Sequence, residues 1–159
     1  MEKTVKELFK LLKSNGLKIS TAESCTGGLF TKLITDLPGS SAVLDCSVVT
    51  YANEAKVKLL GVSEESIKKY GVVSEAVACE MARGAARLMD ADIGVGITGI
   101  AGPDGGTSEK PVGLVWTAVF YRGEVRPFEL RLHGTRDEIR QKTCQCVFEN
   151  IIKVISKKT

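Results

Sequence analysis

The sequence predicts an α/β fold: a single three-layer α/β/α domain, residues 1–159, built on a mixed, mostly parallel five-stranded sheet. Three observations carry this. Short runs rich in β-branched residues alternate with longer segments of helical spacing. A hairpin pattern appears late, with Gly113 to Tyr121 and Val125 to His133 flanking Arg122-Gly123-Glu124. A length of 159 residues that are 43% hydrophobic fills one substantial core and leaves little room for a second.

The elements follow in order. Val5, Leu8, Phe9 and Leu12 recur at helical spacing and stop at Asn15-Gly16, a helix C-terminus. Leu17 to Thr21 read as a strand, Leu29 to Thr35 as a helix ended by Pro38-Gly39, and Leu44 to Tyr51 as a second strand. A short helix follows with Asn53 as its cap. Ser63 and Ser74 are N-caps for two more, the second covering Ala76 to Met89 with Val77, Met81, Ala85 and Leu88 on one face. Ile93 to Ile100 read as a buried strand. After the hairpin, Thr135-Arg136-Asp137-Glu138 is a capping box opening the last helix, which runs through Ile139, Cys146 and Ile151.

Composition narrows the function. The net charge of +3 is spread along the chain, and its one dense basic cluster, Lys153 to Lys158, reads as a solvated helix face, so neither a nucleic-acid nor a membrane partner is expected. No apolar run has the length of a membrane span, and the charged first residues are not a signal peptide. Five cysteines at 25, 46, 79, 144 and 146 point to reduced thiols in a cytoplasmic protein. With one histidine, His133, and no Cys-x-x-Cys pair, a zinc site or a Ser-His-Asp triad has few candidate members, so no metal or other cofactor is expected.

Gly94-Val95-Gly96-Ile97-Thr98-Gly99 matches the dinucleotide fingerprint by letter only. Those glycines lie inside an apolar strand and lead into Gly102-Pro103-Asp104-Gly105-Gly106 rather than opening a helix.

Three polar segments each follow a strand: Ser24 to Gly28, Thr50 to Lys56, and Thr98 to Gly106. If the strands are parallel, these segments share the edge where open α/β sheets bind ligands, and Ser24, Tyr51, Lys56 and Thr98 meet in one cleft. The first turn puts hydroxyls and two glycines beside the free amides of a helix N-terminus, a place for an oxyanion; the plainer alternative is a helix N-cap by Ser24 or Thr26. Lys56, placed in the first turn of its helix, would have its pKa lowered by the dipole and serve as a base for a serine, or be an ordinary surface lysine. Tyr51 is likewise a site residue or a plain strand aromatic.

The run Thr21-Ala22-Glu23-Ser24-Cys25-Thr26-Gly27-Gly28 resembles the CinA C-terminal domain family, and so do five further motifs: Pro38-Gly39-Ser40-Ser41, Val49-Thr50-Tyr51-Ala52-Asn53-Glu54-Ala55-Lys56, Gly71-Val72-Val73-Ser74-Glu75, Gly99-Ile100-Ala101-Gly102-Pro103-Asp104-Gly105-Gly106 and Lys110-Pro111-Val112-Gly113. Six motifs in register cover essentially the whole chain. Stand-alone members resemble nicotinamide-nucleotide amidases, which turn nicotinamide mononucleotide and water into nicotinate mononucleotide and ammonia; the N-terminal domain of larger members has no counterpart here, and its activity is not carried over.

The resemblance implies Ser24 as nucleophile, Lys56 as its base and Tyr51 as a partner that relays or positions the proton. It implies the amides of Cys25, Thr26, Gly27 and Gly28 around the oxyanion, and Thr98, Gly99 and Gly102 among the substrate contacts. For the phosphate the candidates are Ser40, Ser41, Arg136 and Arg140, the arginines otherwise lying on a solvated helix face. Glu23 or Asp104 would favour the cationic pyridinium, with a capping role as the alternative for Glu23. Gly102 to Gly106, with Thr107 and Ser108, is a lid or a simple connection. The family further implies a small-molecule nucleotide as ligand, no cofactor, and a homo-oligomer, a dimer by expectation. The competing class is a non-catalytic nucleotide-binding or protein-interaction module linked to competence or DNA damage.

Overall fold

A computed structural model describes residues 1–156 as α1 (Glu2–Ser14), β1 (Ile19–Glu23), α2 (Leu29–Thr35), β2 (Leu44–Val49), α3 (Asn53–Leu60), α4 (Glu64–Tyr70), α5 (Glu75–Leu88), β3 (Ile93–Gly99), β4 (Leu114–Tyr121), β5 (Glu124–Arg131) and α6 (Arg136–Ser156). Lys157 and Lys158 of the basic cluster lie outside the described residues. The strands form one sheet in the order β2-β1-β3-β4-β5. β1 pairs parallel with β2 and β3, while β4 is antiparallel to both its neighbours, so four strands share a direction and β4 alone opposes them.

Helices cover both faces. On one, Val5, Leu8 and Leu12 of α1, Phe30 and Ile34 of α2, and Ile139, Val147, Phe148 and Ile151 of α6 pack on Ile19, Val95, Ile97 and Val115 of the sheet. Phe30 stacks on Phe148 with ring centroids 4.4 Å apart, joining α2 to α6. On the other face Val77, Met81 and Ala85 of α5 meet Leu60 of α3 and Ala22 of β1, whereas Leu88, expected on the same face, is 37% exposed at the helix end. α5 lies unusually close to the sheet. A Cβ at Gly94 would stand 2.0 Å from the Ala82 carbonyl oxygen, and one at Gly96 2.3 Å from that of Ala78. The fingerprint glycines therefore serve helix-on-strand packing.

Local chemistry sets several boundaries as expected. Ser63 and Ser74 accept from the amides of Ser66 and Val77. In the capping box the Thr135 amide donates to Glu138 Oε2 at 2.7 Å and the Glu138 amide to Thr135 Oγ1 at 3.3 Å. The hairpin closes through Arg122 and Gly123, at φ 51° and 83°, the left-handed pair a two-residue turn requires. Several strand ends differ by one or two residues. β1 runs to Glu23, two residues beyond the expected end, and β2 stops at Val49, two before. No described helix is long and apolar enough to cross a membrane.

Candidate active site

Strand register brings the three polar segments level. Glu23 pairs with both Val49 and Ile97, the Ser24 amide donates to the Ile97 carbonyl at 3.0 Å, and the Thr50 amide to the Glu23 carbonyl at 2.9 Å. The segments after β1, β2 and β3 consequently open onto one edge, around a cleft of about 300 Å³. Ser24, Tyr51, Lys56, Thr98, Gly102 and Arg136 all line it. That volume is at the small end of ligand pockets.

Glu23 shapes the first turn. Its fully buried carboxylate accepts the amides of Gly28 at 3.0 Å, Phe30 at 3.1 Å and Thr31 at 2.9 Å, and the Thr31 hydroxyl at 2.7 Å. It caps α2, whose first residue follows Gly28 at φ 93°, with no side-chain cap from Ser24 or Thr26. Two expectations change as a result. Glu23 is committed to the helix and does not face a substrate, leaving Asp104 as the acidic residue on the cleft wall. The positive end of α2 is occupied, so Gly28 offers no free donor, and the Gly27 amide is spent on the Ser24 carbonyl at 3.1 Å. Among the described residues nothing accepts from the amides of Cys25 and Thr26, and the buried Thr26 hydroxyl has no partner. These two amides are the remaining oxyanion donors. The Cys25 thiol beside them is pushed by burial up to about 12 and stays protonated.

Lys56 enters the cleft from below. Ala52, not Asn53, is the N-cap of α3, so Lys56 is the fourth helical residue, and its side chain turns inward until only 1% of the residue is exposed. Its amine stands 2.6 Å from the Thr50 carbonyl oxygen, 3.3 Å from that of Tyr51 and 3.1 Å from Ser24 Oγ. Burial holds its pKa below the ordinary lysine value, desolvation being the largest cause and in the direction expected from the sequence.

The Tyr51 hydroxyl makes no hydrogen bond with Lys56 among the described residues. The tyrosine side chain is 62% exposed and its hydroxyl accepts from Arg136 Nη2 at 3.1 Å; its link to Lys56 is through the main-chain carbonyl. Arg136 spans the cleft mouth, donating also from Nη1 to the Gly102 carbonyl at 2.6 Å. Arg140 does not line the cleft. Its Nη2 donates to the Thr26 carbonyl at 2.8 Å, bracing the loop from behind, close to Gly27.

Ser40 and Ser41 are removed from the site altogether. They form a 3-10 turn with Ala42 just before β2, where the Ser41 carbonyl accepts from Lys18 ahead of β1. Parallel strands put that end of the sheet a strand length away, about 20 Å, from Ser24. Thr98 donates from Oγ1 to the Val72 carbonyl at 2.9 Å, and Gly99 leaves no room for a Cβ against Val115. Sequence reasoning had not placed Asn53, Val72 and Val73 on the cleft wall. Val72 and Val73 belong to a motif noted in the sequence, but no strand precedes them to signal the edge they reach.

Similarity to known proteins agrees with this architecture. Residues 1–155 match the CinA C-terminal domain. A relative from Acetivibrio thermocellus, named as a competence-damage inducible protein, is 48% identical over 93% of this chain, and a CinA-like protein from Fusobacterium nucleatum is 46% identical over 99%. The chain spans only 36% and 38% of those two relatives. The crystal structure of competence/damage inducible protein CihA from Agrobacterium tumefaciens superposes with a TM-score of 0.95 at 43% identity, covering 98% of this chain and 95% of that one. A CinA superfamily protein from Escherichia coli gives 0.92 at 32% identity, covering 96% and 89%. The chain belongs to the CinA C-terminal domain family.

Proposed function

We propose that the chain is an amidohydrolase that converts nicotinamide mononucleotide and water to nicotinate mononucleotide and ammonia, with Ser24 as nucleophile and Lys56 as base. The observation that carries this is the set of Lys56 partners: two main-chain carbonyls and the Ser24 hydroxyl, with no carboxylate. A neutral amine has two N–H groups and one lone pair. Donation to the Thr50 and Tyr51 carbonyls uses both, and the lone pair is left facing Ser24 Oγ.

The steps then balance. Lys56 takes the Ser24 proton as Oγ bonds to the carboxamide carbon, and the amides of Cys25 and Thr26 meet the oxyanion. The protonated Lys56 passes that proton to the amide nitrogen, the C–N bond breaks, and ammonia leaves an acyl-serine. Water attacks the ester with Lys56 again as base, and the returning proton restores Ser24. No step asks for a metal. Arg136 is the cation at the mouth suited to the phosphate, and Asp104 the carboxylate suited to the pyridinium.

The substrate follows from the family, since a Ser–Lys pair would serve another ribonucleotide amide as well. The test is ammonia release from nicotinamide mononucleotide, nicotinamide riboside and a second ribonucleotide amide. Turnover of the first above the others is expected. Binding without ammonia from any of them would assign the cleft to a non-catalytic nucleotide-binding module.

A further inference from the structure

Two motifs take no part in the chemistry above, Gly71-Val72-Val73-Ser74-Glu75 and Lys110-Pro111-Val112-Gly113, and the fold joins them. The Lys110 amine donates to the Tyr70 carbonyl at 2.5 Å and to the Val73 carbonyl at 2.8 Å. Tyr70 is the last residue of α4, where carbonyls lack helical partners, and charge-assisted bonds are the stronger kind. Gly71 makes the approach possible, because a Cβ there would lie 2.6 Å from the amine.

Both segments line the cleft: Val72 and Val73 from one, and Ile100, Gly102 and Asp104 from the loop leading to Lys110. That loop is closed on itself: the Thr107 amide donates to the Lys110 carbonyl at 2.8 Å, the Lys110 amide to Thr107 Oγ1 at 3.0 Å, and the Gly113 amide to the Ile100 carbonyl at 2.8 Å. A loop fastened at its own base moves as a unit, and Lys110 fastens it to the 70–74 segment. Ser24 and Lys56 sit on other elements and make no hydrogen bond with it.

We propose that Lys110 is a positioning residue: its amine clamps the 100–113 loop to the 70–74 segment and sets the width of the cleft, and so how tightly substrate is held, without touching the Ser24–Lys56 pair. The substrate arm of the test rests on the amidase reading; the exchange arm does not. Lys110→Met, Lys110→Gln and Lys110→Arg are compared by amide hydrogen exchange on the free protein and by KM and kcat for nicotinamide mononucleotide. In Lys110→Met, and in Lys110→Gln should the first not fold, exchange over 70–74 and 100–113 quickens about tenfold while 24–30 and 53–60 are unchanged. KM rises about tenfold with kcat within about threefold. Lys110→Arg, which offers N–H groups to both carbonyls, restores both readouts. Unchanged exchange in a folded Lys110→Met or Lys110→Gln, or a loss confined to kcat, overturns the clamp. A wild type without turnover would sink the amidase reading alone, and exchange would still decide the role of Lys110.

Discussion

The Lys56 amine and the Ser24 hydroxyl stand 3.1 Å apart, and the other hydrogen-bond partners of that amine are the carbonyl oxygens of Thr50 and Tyr51. A surface lysine would be solvated as a cation. This one is enclosed, with no carboxylate partner among the described residues, and burial lowers its pKa, which is the direction the proposed base role needs.

Ser24→Ala removes only the hydroxyl proposed as the nucleophile. Ammonia release from nicotinamide mononucleotide should fall by about a thousandfold or more while the Kd, read by calorimetry, stays within about threefold. Turnover retained in the purified variant would end covalent serine catalysis.

The pH dependence has a fixed sign. Because burial favours the neutral amine, the single-turnover rate should rise with pH through a value below that of a free lysine and then level off. Lys56→Arg keeps a cation that does not deprotonate, so it should lose the rate by orders of magnitude and lose the rise with it. A near-normal rate in Lys56→Arg with the wild-type profile would show that position 56 supplies charge alone.

The two arginines should part company. Arg136, at the cleft mouth, is the one expected to hold phosphate, so Arg136→Ala should weaken nicotinamide mononucleotide about ten- to a hundredfold and nicotinamide riboside little, about 1.5 to 3 kcal/mol for a charge-assisted contact. Arg140, bonded to the Thr26 carbonyl behind the loop, should on removal affect both substrates alike. The reverse pattern would move the phosphate to Arg140.

Glu23 is a stability residue beside the site. Glu23→Gln turns one of its oxygens into a donor facing donors, and should cost about 2 to 3 kcal/mol, a Tm loss of about 5 to 10 °C by calorimetry. An unchanged Tm would mean that the amides of α2 are satisfied without it.

Much of this molecule was legible where the signal is local. The limits of α2, the caps at Ser63 and Ser74, the capping box from Thr135 and the Arg122-Gly123 turn each depend on residues within a few positions of one another. The edge that gathers Ser24, Lys56 and Thr98 was legible too, because parallel strands put the segments that follow them on one side. The same rule argued against Ser40 and Ser41, which precede β2 while Thr50 follows it; a motif match obscured a topological fact. What stayed hidden was the direction of polar side chains. The letters around β1 do not tell whether Glu23 turns toward solvent or under the next helix, nor whether the Tyr51 hydroxyl or its carbonyl meets Lys56. The grip of Lys110 on Tyr70 and Val73 spans 40 and 37 positions and leaves no periodic trace.

Glycine in a strand ordinarily invites replacement, since alanine at a compatible position restrains the unfolded chain and raises stability. At Gly94 and Gly96 that engineering rule inverts. The added methyl would meet the α5 backbone at about two-thirds of a normal van der Waals separation, and the helix would have to ride up off β3. Thr98 is two residues further along that strand, and its hydroxyl holds Val72, on the segment leading into α5. A one-carbon change lower on the same face of β3 would thus be felt as a misalignment of the cleft wall, and efforts to thermostabilise this domain are better spent on its surface helices than on the glycine seam beneath its site.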